Sequence, residues 1–390
     1  MTFLATLAMP ELKSPAVDRK GQLKYERLKR MLLTQIASGE LRPGDMLPPE
    51  VSLAQQMGYA RNTVRQAMRE LELQRVIRRV RGKGTIVCEA GKPADHKPIA
   101  TSHLYGLAIP ELRAGMYQSL QAGMNHSMST VGANMIVCDS GQDLHQQIDV
   151  LLQLAHRGVS GVAMVPITAA KTPTHHVSFL RQAQVPLVFC HRRVEGIRAP
   201  LIGFSSFDMG YFAAKELARQ GHRRVAMIFS HLSESCEERK RGARAAMQEI
   251  GSDINEDHVY YDVTYRADPL PPGLEDRLRN ELRRMIAGRS APTAVIVSAD
   301  CLAGVTCFAL QKLGLSVPDD FSVIGFGDRW NRNMMLPFRL QSVTVDEWRL
   351  GQMAFETLGQ IERGERPMDD NENILMPMEI SDGNSIAPPR

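Results

Sequence analysis

Between residues 60 and 71 the sequence reads ARNTVRQAMREL. Arg61, Arg65 and Arg69 follow one another at steps of four, and Val64, Ala67, Met68 and Leu71 recur at steps of three and four. With 3.6 residues per turn, that spacing predicts one helix with a guanidinium edge and an apolar edge. Guanidinium groups make paired hydrogen bonds to guanine O6 and N7 or to phosphate, so the chemistry on offer is recognition of a polyanion. Arg61 and Arg65, nearest the predicted helix start, reach deepest. Asn62 and Thr63 either cap the helix or touch base or phosphate. Arg69, Arg78, Arg79 and Arg81 are expected to meet phosphates or solvent.

Other elements must hold that helix. A helix is predicted from about Tyr25 to Ser38, with Leu28, Leu32 and Ile36 on one face and Met31 beside them. The loop GELRPGDMLPPE then forbids continuation, because glycine is entropically poor in helices and proline lacks the amide donor. A second helix runs from about Glu50 to Met57 and stops at Gly58, and a tight turn through Tyr59 and Ala60 leads into the arginine-edged helix. Two short helices joined by a glycine-containing turn make a helix-turn-helix. The stretch RVIRRVRGKGTIV places apolar residues on both sides of a Gly82-Lys83-Gly84 tip, a β-hairpin whose turn tolerates positive φ. Helix, helix-turn-helix and basic hairpin together read as a winged helix. Lys83, between two glycines, is placed to enter a minor groove.

Charge agrees. The chain of 390 residues carries a net charge of +4, yet residues 20–90 hold 14 Lys or Arg against 7 Asp or Glu, leaving the remainder at −3. One segment alone therefore asks for a polyanionic partner. At 43% hydrophobic and 23% charged residues the composition is that of a globular protein of two or three domains. No stretch approaches the roughly 20 apolar residues of a membrane span, and the opening MTFLATLAMP lacks the basic leader and cleavage pattern of a secretory signal. A cytoplasmic protein is expected, with residues 1–19 a flexible tail. The six cysteines show no C-x-x-C pair and no zinc spacing, so neither a disulfide framework nor a metal is indicated. No cofactor and no catalytic group is expected.

The runs L-R-P-G-D-M-L-P-P-E, L-A-Q-Q-M-G-Y-A-R-N-T-V-R-Q-A-M-R-E-L and R-G-K-G-T-I-V resemble the DNA-binding domain of the GntR-type transcription regulators. The resemblance spans nearly all of residues 20–88. It implies base or phosphate contacts from Arg61 and Arg65 and wing contacts from Lys83 and Gly84. Two positions depart from the family pattern. Pro49-Glu50-Val51 stands where Ser-Glu-Arg is usual, removing one phosphate-binding arginine, and Ala60 replaces the serine before the recognition arginine.

A polar, proline-bearing linker is expected at 91–102. Beyond it, short apolar runs such as LYGLAIP, ANMIVCDS, SGVAMVP, VPLVFC, RRVAMIFS, TAVIVS and FSVIGFGD alternate with amphipathic stretches. That alternation predicts parallel sheets covered on both faces, in two α/β lobes because about a dozen strands are too many for one small sheet. Ligands bind such sheets outside the carboxyl ends of the strands.

The blocks R-Q-G-H-R-R-V-A-M-I, R-K-R-G-A-R-A-A-M, P-T-A-V-I-V-S-A-D and L-G-L-S-V-P-D-D-F-S-V-I-G-F-G-D resemble the effector domain of the LacI/GalR-type repressors, itself built like a periplasmic sugar-binding protein. The resemblance implies an effector and dimerisation domain over 103–390. One lobe takes about 103–195 and 328–342, the other about 196–327 and 343–390, with an effector in the cleft. The ligand-binding positions fall on Tyr117, Arg192, Arg239, Asp300 and Asp328, with Trp330 close by. The family's Asn-Pro-Phe-Phe run is Ala114-Gly115-Met116-Tyr117 here, and its Asp-Asn pair falls near Phe204, Ser205 and Ser206, so the pocket is rewritten.

Several residues admit a plainer role. Asp300 either binds ligand or only caps the helix beside it. His191 reads as a structural histidine, the His175-His176 pair as a helix surface, and Arg239 lies in a charged run that is otherwise a solvated face. The whole resembles the arabinose-type repressors: a homodimeric regulator, repressing operator DNA under control of a sugar-like effector. The alternative is a cytoplasmic carbohydrate-binding or carbohydrate-processing protein with an incidental basic domain.

Overall fold

The structure is a computed structural model. It describes residues 24–73, 76–80, 84–88, 103–113, 115–230, 232–262, 271–288, 290–298, 300–327 and 336–390. The expected tail (1–19), the linker (91–102), Lys83, Asp328 and Trp330 lie outside the described residues.

The first six elements are α1 (Lys24–Ala37), β1 (Met46–Leu47), α2 (Glu50–Met57), α3 (Arg61–Leu73), β2 (Ile77–Val80) and β3 (Gly84–Val87). They build the winged helix anticipated from the sequence. α2 ends where Gly58 turns left-handed at φ +64° and its N–H donates to the carbonyls of Ala54 and Gln55, a closure that glycine makes without a Cβ penalty. Leu28, Leu32, Leu53, Val64, Ala67, Met68 and Leu71 bury themselves between the three helices. The loop before α2 contributes β1, which pairs antiparallel with β3 at Met46↔Ile86 and Leu47↔Thr85, so the wing is a three-stranded sheet in the order β1-β3-β2. Two residues carry no periodicity, so β1 was not expected.

Then come β4 (Leu104–Ile109), α4 (Gly115–Ser129), β5 (Asn134–Asp139), α5 (Leu144–His156), β6 (Gly161–Met164), α6 (His175–Gln182) and β7 (Leu187–His191). They are followed by β8 (Leu201–Gly203), α7 (Ser206–Arg219), β9 (Val225–Phe229), α8 (Glu234–Gln248), β10 (Val259–Tyr261) and α9 (Leu274–Ile286). The last are β11 (Ala294–Ser298), α10 (Asp300–Lys312), β12 (Ser322–Phe326), β13 (Gln341–Val345), α11 (Glu347–Glu362), β14 (Asn373–Leu375) and β15 (Met378–Ile380).

By contacts the chain forms two compact units. The first holds the residues up to Pro110 together with Met128–Pro200 and Glu356–Asn371; the second holds Glu111–Ser127, Leu201–Phe355 and Glu372–Arg390. The borders differ from the expected lobes: residues 111–127 and 336–342 go with the second unit, and 196–200 and 356–371 with the first.

In the first unit four parallel neighbours run β7-β6-β4-β5. In the second the order is β10-β9-β11-β12-β13-β15, parallel except for β15. Strand alternation explains why β9 is apolar throughout. Val225, Met227 and Phe229 pack under α7 and α8, while Ala226 and Ile228 pack under α9 and α10. Helices α7 and α8 cross so closely that a Cβ on Gly210 would overlap the Arg239 carbonyl, and one on Gly242 the Phe207 carbonyl.

Candidate functional site

On α3 the split between edges is clean. Val64, Ala67, Met68 and Leu71 are buried, whereas Arg61, Asn62, Arg65, Gln66 and Arg69 are exposed and Thr63 is half-buried. Since α3 begins at Arg61, Asn62 and Thr63 lie inside its first turn and cannot be its N-cap. The capping reading of these two residues therefore falls. Gly84 opens β3 at φ +111°, a conformation that a side chain would strain.

A carboxylate missed from sequence ties the helix to the wing. Glu50, first residue of α2, lies 3.6 Å from Arg65 Nε and 2.6 Å from Arg79 Nη2. Arg79 Nε also reaches Glu72 Oε2 at 3.3 Å. Arg79 therefore stands between two carboxylates while half of its side chain keeps the expected contact with solvent. The Arg65 side chain stays 63% exposed, so water screens its pair and the helix keeps its cationic face. Glu50 was legible only as a first-turn acid, because its partners sit on α3 and β2.

The second unit gathers its polar groups at the carboxyl ends of the strands. Arg239 projects from α8, whose first turn Ser233 caps by accepting from Cys236 N–H. Its Nη1 donates to Ser298 Oγ at 2.6 Å, its Nη2 lies 3.6 Å from Met209 Sδ, and its guanidinium sits 4.9 Å from the Phe326 ring centre. Ser298 ends β11 and Phe326 ends β12, so Arg239 spans the rim of two adjacent strands. Asp300 opens α10 and is 3% exposed. Its Oδ1 accepts from Ser342 Oγ at 2.9 Å. A Cβ on Gly325 would collide with that oxygen, so β12 makes room for the carboxylate with a bare backbone. Tyr117 is buried in the first turn of α4, in the same unit by contacts. Arg192 belongs to the first unit, where its Nη1 donates to the Pro166 carbonyl at the end of β6.

His191 is buried, as a structural histidine would be, whereas His176 differs from expectation. His191 ends β7 with φ +64°, and Arg192 N–H donates to the Cys190 carbonyl at 2.8 Å, closing a three-residue γ-turn centred on it. That form is rare and strained for a residue with a Cβ. His176, read as helix surface, is buried, and burial pushes its imidazole down to about 4. It packs edge-on to His175, and no group of three or more possible metal ligands occurs among the described residues.

Residues 24–87 match the family described as bacterial regulatory proteins, gntR family, and residues 214–386 match the periplasmic binding protein-like domain. The chain joins a gntR-type DNA-binding domain to a periplasmic binding protein-like domain. This regulator is 25% identical over 364 residues to the arabinose metabolism transcriptional repressor of Geobacillus stearothermophilus, covering 93% of this chain and 97% of the relative. Its fold is similar to the crystal structure of transcription regulator CcpA of Lactococcus lactis, with a TM-score of 0.61 at 20% identity over 73% of this chain and 99% of that one. A LacI family regulator from Enterococcus faecium, solved with bound ribose, aligns with a TM-score of 0.59 at 22% identity over 74% of this chain and 100% of that one. The regulator is thus a DNA-binding transcription regulator, and none of its described helices is long and apolar enough to cross a membrane.

Proposed function

We propose that the regulator is a repressor whose affinity for operator DNA is set by a small sugar-like effector. The observation that carries the DNA half is the two-sided α3, with its arginines open and its apolar edge docked beside a wing. A helix about 10–12 Å across fits the major groove. Arg61 and Arg65 meet bases or phosphates there, Asn62 and Thr63 stand beside them, and Gly84 with Lys83 serves the minor groove. One winged helix reads a half-site, which favours a homodimer on a two-fold operator.

The effector is held at the carboxyl ends of the second unit's strands. Asp300 offers a carboxylate for paired hydroxyls, Arg239 a planar donor, and Tyr117 a ring for an apolar sugar face. Asp328, Trp330 and Arg192 belong to the set by resemblance alone. The ribose in the similar solved regulator supports a pentose-sized ligand. Occupancy lowers operator affinity through a coupling of about 1–3 kcal/mol.

Duplexes selected from a random pool, titrated in rising salt, test the first half. Six phosphate contacts predict a loss of about 10³ in affinity between about 50 and about 200 mM salt, and indifference to salt would remove the DNA reading. Thermal melts with pentoses, hexoses, sugar acids and nucleosides test the second. A ligand at 100 times its Kd stabilises by about 2.7 kcal/mol, and silence across the whole panel would remove the sugar.

A further inference from the structure

Helix α1 is buried on two sides, and the winged-helix core accounts for one. Leu28 and Leu32 belong to that core. Leu33 stands five positions after Leu28, about 140° around the helix, yet it is 1% exposed. Ala37, one turn along the same side, is buried as well. Besides packing on α3, α1 packs on α5 and α6, the helices that cover the sheet of the same unit.

Charge follows the same seam. Lys29 and Arg30 border Leu33 on that side of α1 by helical spacing. Across from them Asp149 of α5 is half-buried, and its Oδ1, sealed from solvent, has no hydrogen-bond partner among the described residues. Burial pushes its carboxyl up to about 6, opposed by the positive field of Lys29 and Arg30 and reinforced by Asp143. Asp143, the N-cap of α5, also faces Arg30, and His145 on α5 and His175 on α6 are the charged neighbours of His176. Lys29 Nζ also lies 3.3 Å from Glu70 Oε2 on α3. One ammonium therefore stands between a carboxylate of the recognition helix and a carboxylate of the sensor.

We propose that the α5–α6 face is a docking surface whose partner is α1 of the chain's own DNA-binding domain. Leu33 supplies the apolar contact, and Lys29 and Arg30 set against Asp149 supply the charge. Arg61, Arg65 and Arg69 remain exposed in this docked arrangement. The sensor accordingly acts on α3 by fixing its placement through Lys29 and Glu70, and leaves its DNA face uncovered. The regulatory consequence rests on the DNA-binding reading, whereas the docking itself does not.

Hydrogen exchange on the full chain without DNA tests the dock. Asp149→Lys adds a third cation to the seam on the sensor side, away from the winged-helix core. Amides of residues 29–37 and of α5 then exchange about tenfold faster, while those of 64–71 keep their protection. Leu33→Lys gives the same pattern from the other side, and Arg30→Glu combined with Asp149→Lys restores slow exchange. Parent-like exchange of α1 in Asp149→Lys overturns the proposal. So does a Leu33→Lys chain in which protection is lost throughout the winged helix while Asp149→Lys changes nothing, since Leu33 is then only a core residue. A chain that docks in this way but binds no duplex in the salt titration sinks the DNA reading and leaves the dock standing.

Discussion

The two candidate sites are built on opposite plans. On α3 the working side chains are exposed and loosely paired: Arg65 keeps more than half its surface in water while it leans on Glu50. At the strand ends of the second unit, Arg239 and Asp300 are locked by Ser298, Met209, Phe326 and Ser342 over backbone that glycine keeps bare. A polyanion is met by many weak, salt-screened contacts that adjust to it. A small ligand gives few contacts, so its partners have to be fixed beforehand. The first site is therefore sensitive to charge and the second to shape.

The largest effect tests the second plan. Gly210→Val drives a branched side chain into the Arg239 carbonyl, forces α7 from α8, and costs about 3 kcal/mol in urea unfolding. An unchanged midpoint would show that the crossing yields. Next, Arg65→Ala lowers duplex affinity by about 1–3 kcal/mol in fluorescence anisotropy and shifts thermal stability by no more than about 0.5 kcal/mol. A variant that loses stability instead would mean that α3 is also governed by shape.

Smaller changes sharpen the contrast. Glu50→Gln frees Arg65 and Arg79 from a competing carboxylate. It should strengthen binding to unselected duplexes by under about 1 kcal/mol and steepen the salt dependence; weaker binding to every duplex would make Glu50 a positioning residue. The smallest effect concerns pH. Asp149, raised to about 6 by burial, binds its proton more readily folded than unfolded, so its contribution to stability grows as pH falls through about 6. His176, held down to about 4 by burial, loses stability as pH falls from about 6.5 towards about 4. Asp149→Asn removes only the compensating term. Its melting temperature should therefore fall more steeply than the parent's between about pH 6 and pH 4, and parallel curves would disprove the buried carboxyl.

Much of this was readable before any coordinates, and the limits have physical causes. The winged helix announced itself through local signals: apolar recurrence at 3.6, glycine and proline stops, and a glycine-flanked tip. The parallel sheets did so through continuous apolar runs. Periodicity in α1 named Ile36 as core, yet Ile36 is half-buried and Leu33 is sealed, because a second surface covers the side that helical spacing assigned to water. Helix α11 went unnoticed, and β1 is too short to have a period. Glu50 and Ser342 gain their roles from partners dozens of residues away, which no spacing rule reaches. The γ-turn at His191 likewise has no local signature, since glycine or asparagine would be the ordinary choice there.

The double-sided strand β9 has one further implication. Each of its residues is committed to one of two opposed layers, so a single inserted or deleted residue would turn both layers inside out at once. Past its last residue that two-sided alternation no longer applies. Descendants of this scaffold can therefore acquire new chemical tastes by rewriting loop tips, while the planks beneath permit substitution but never slippage.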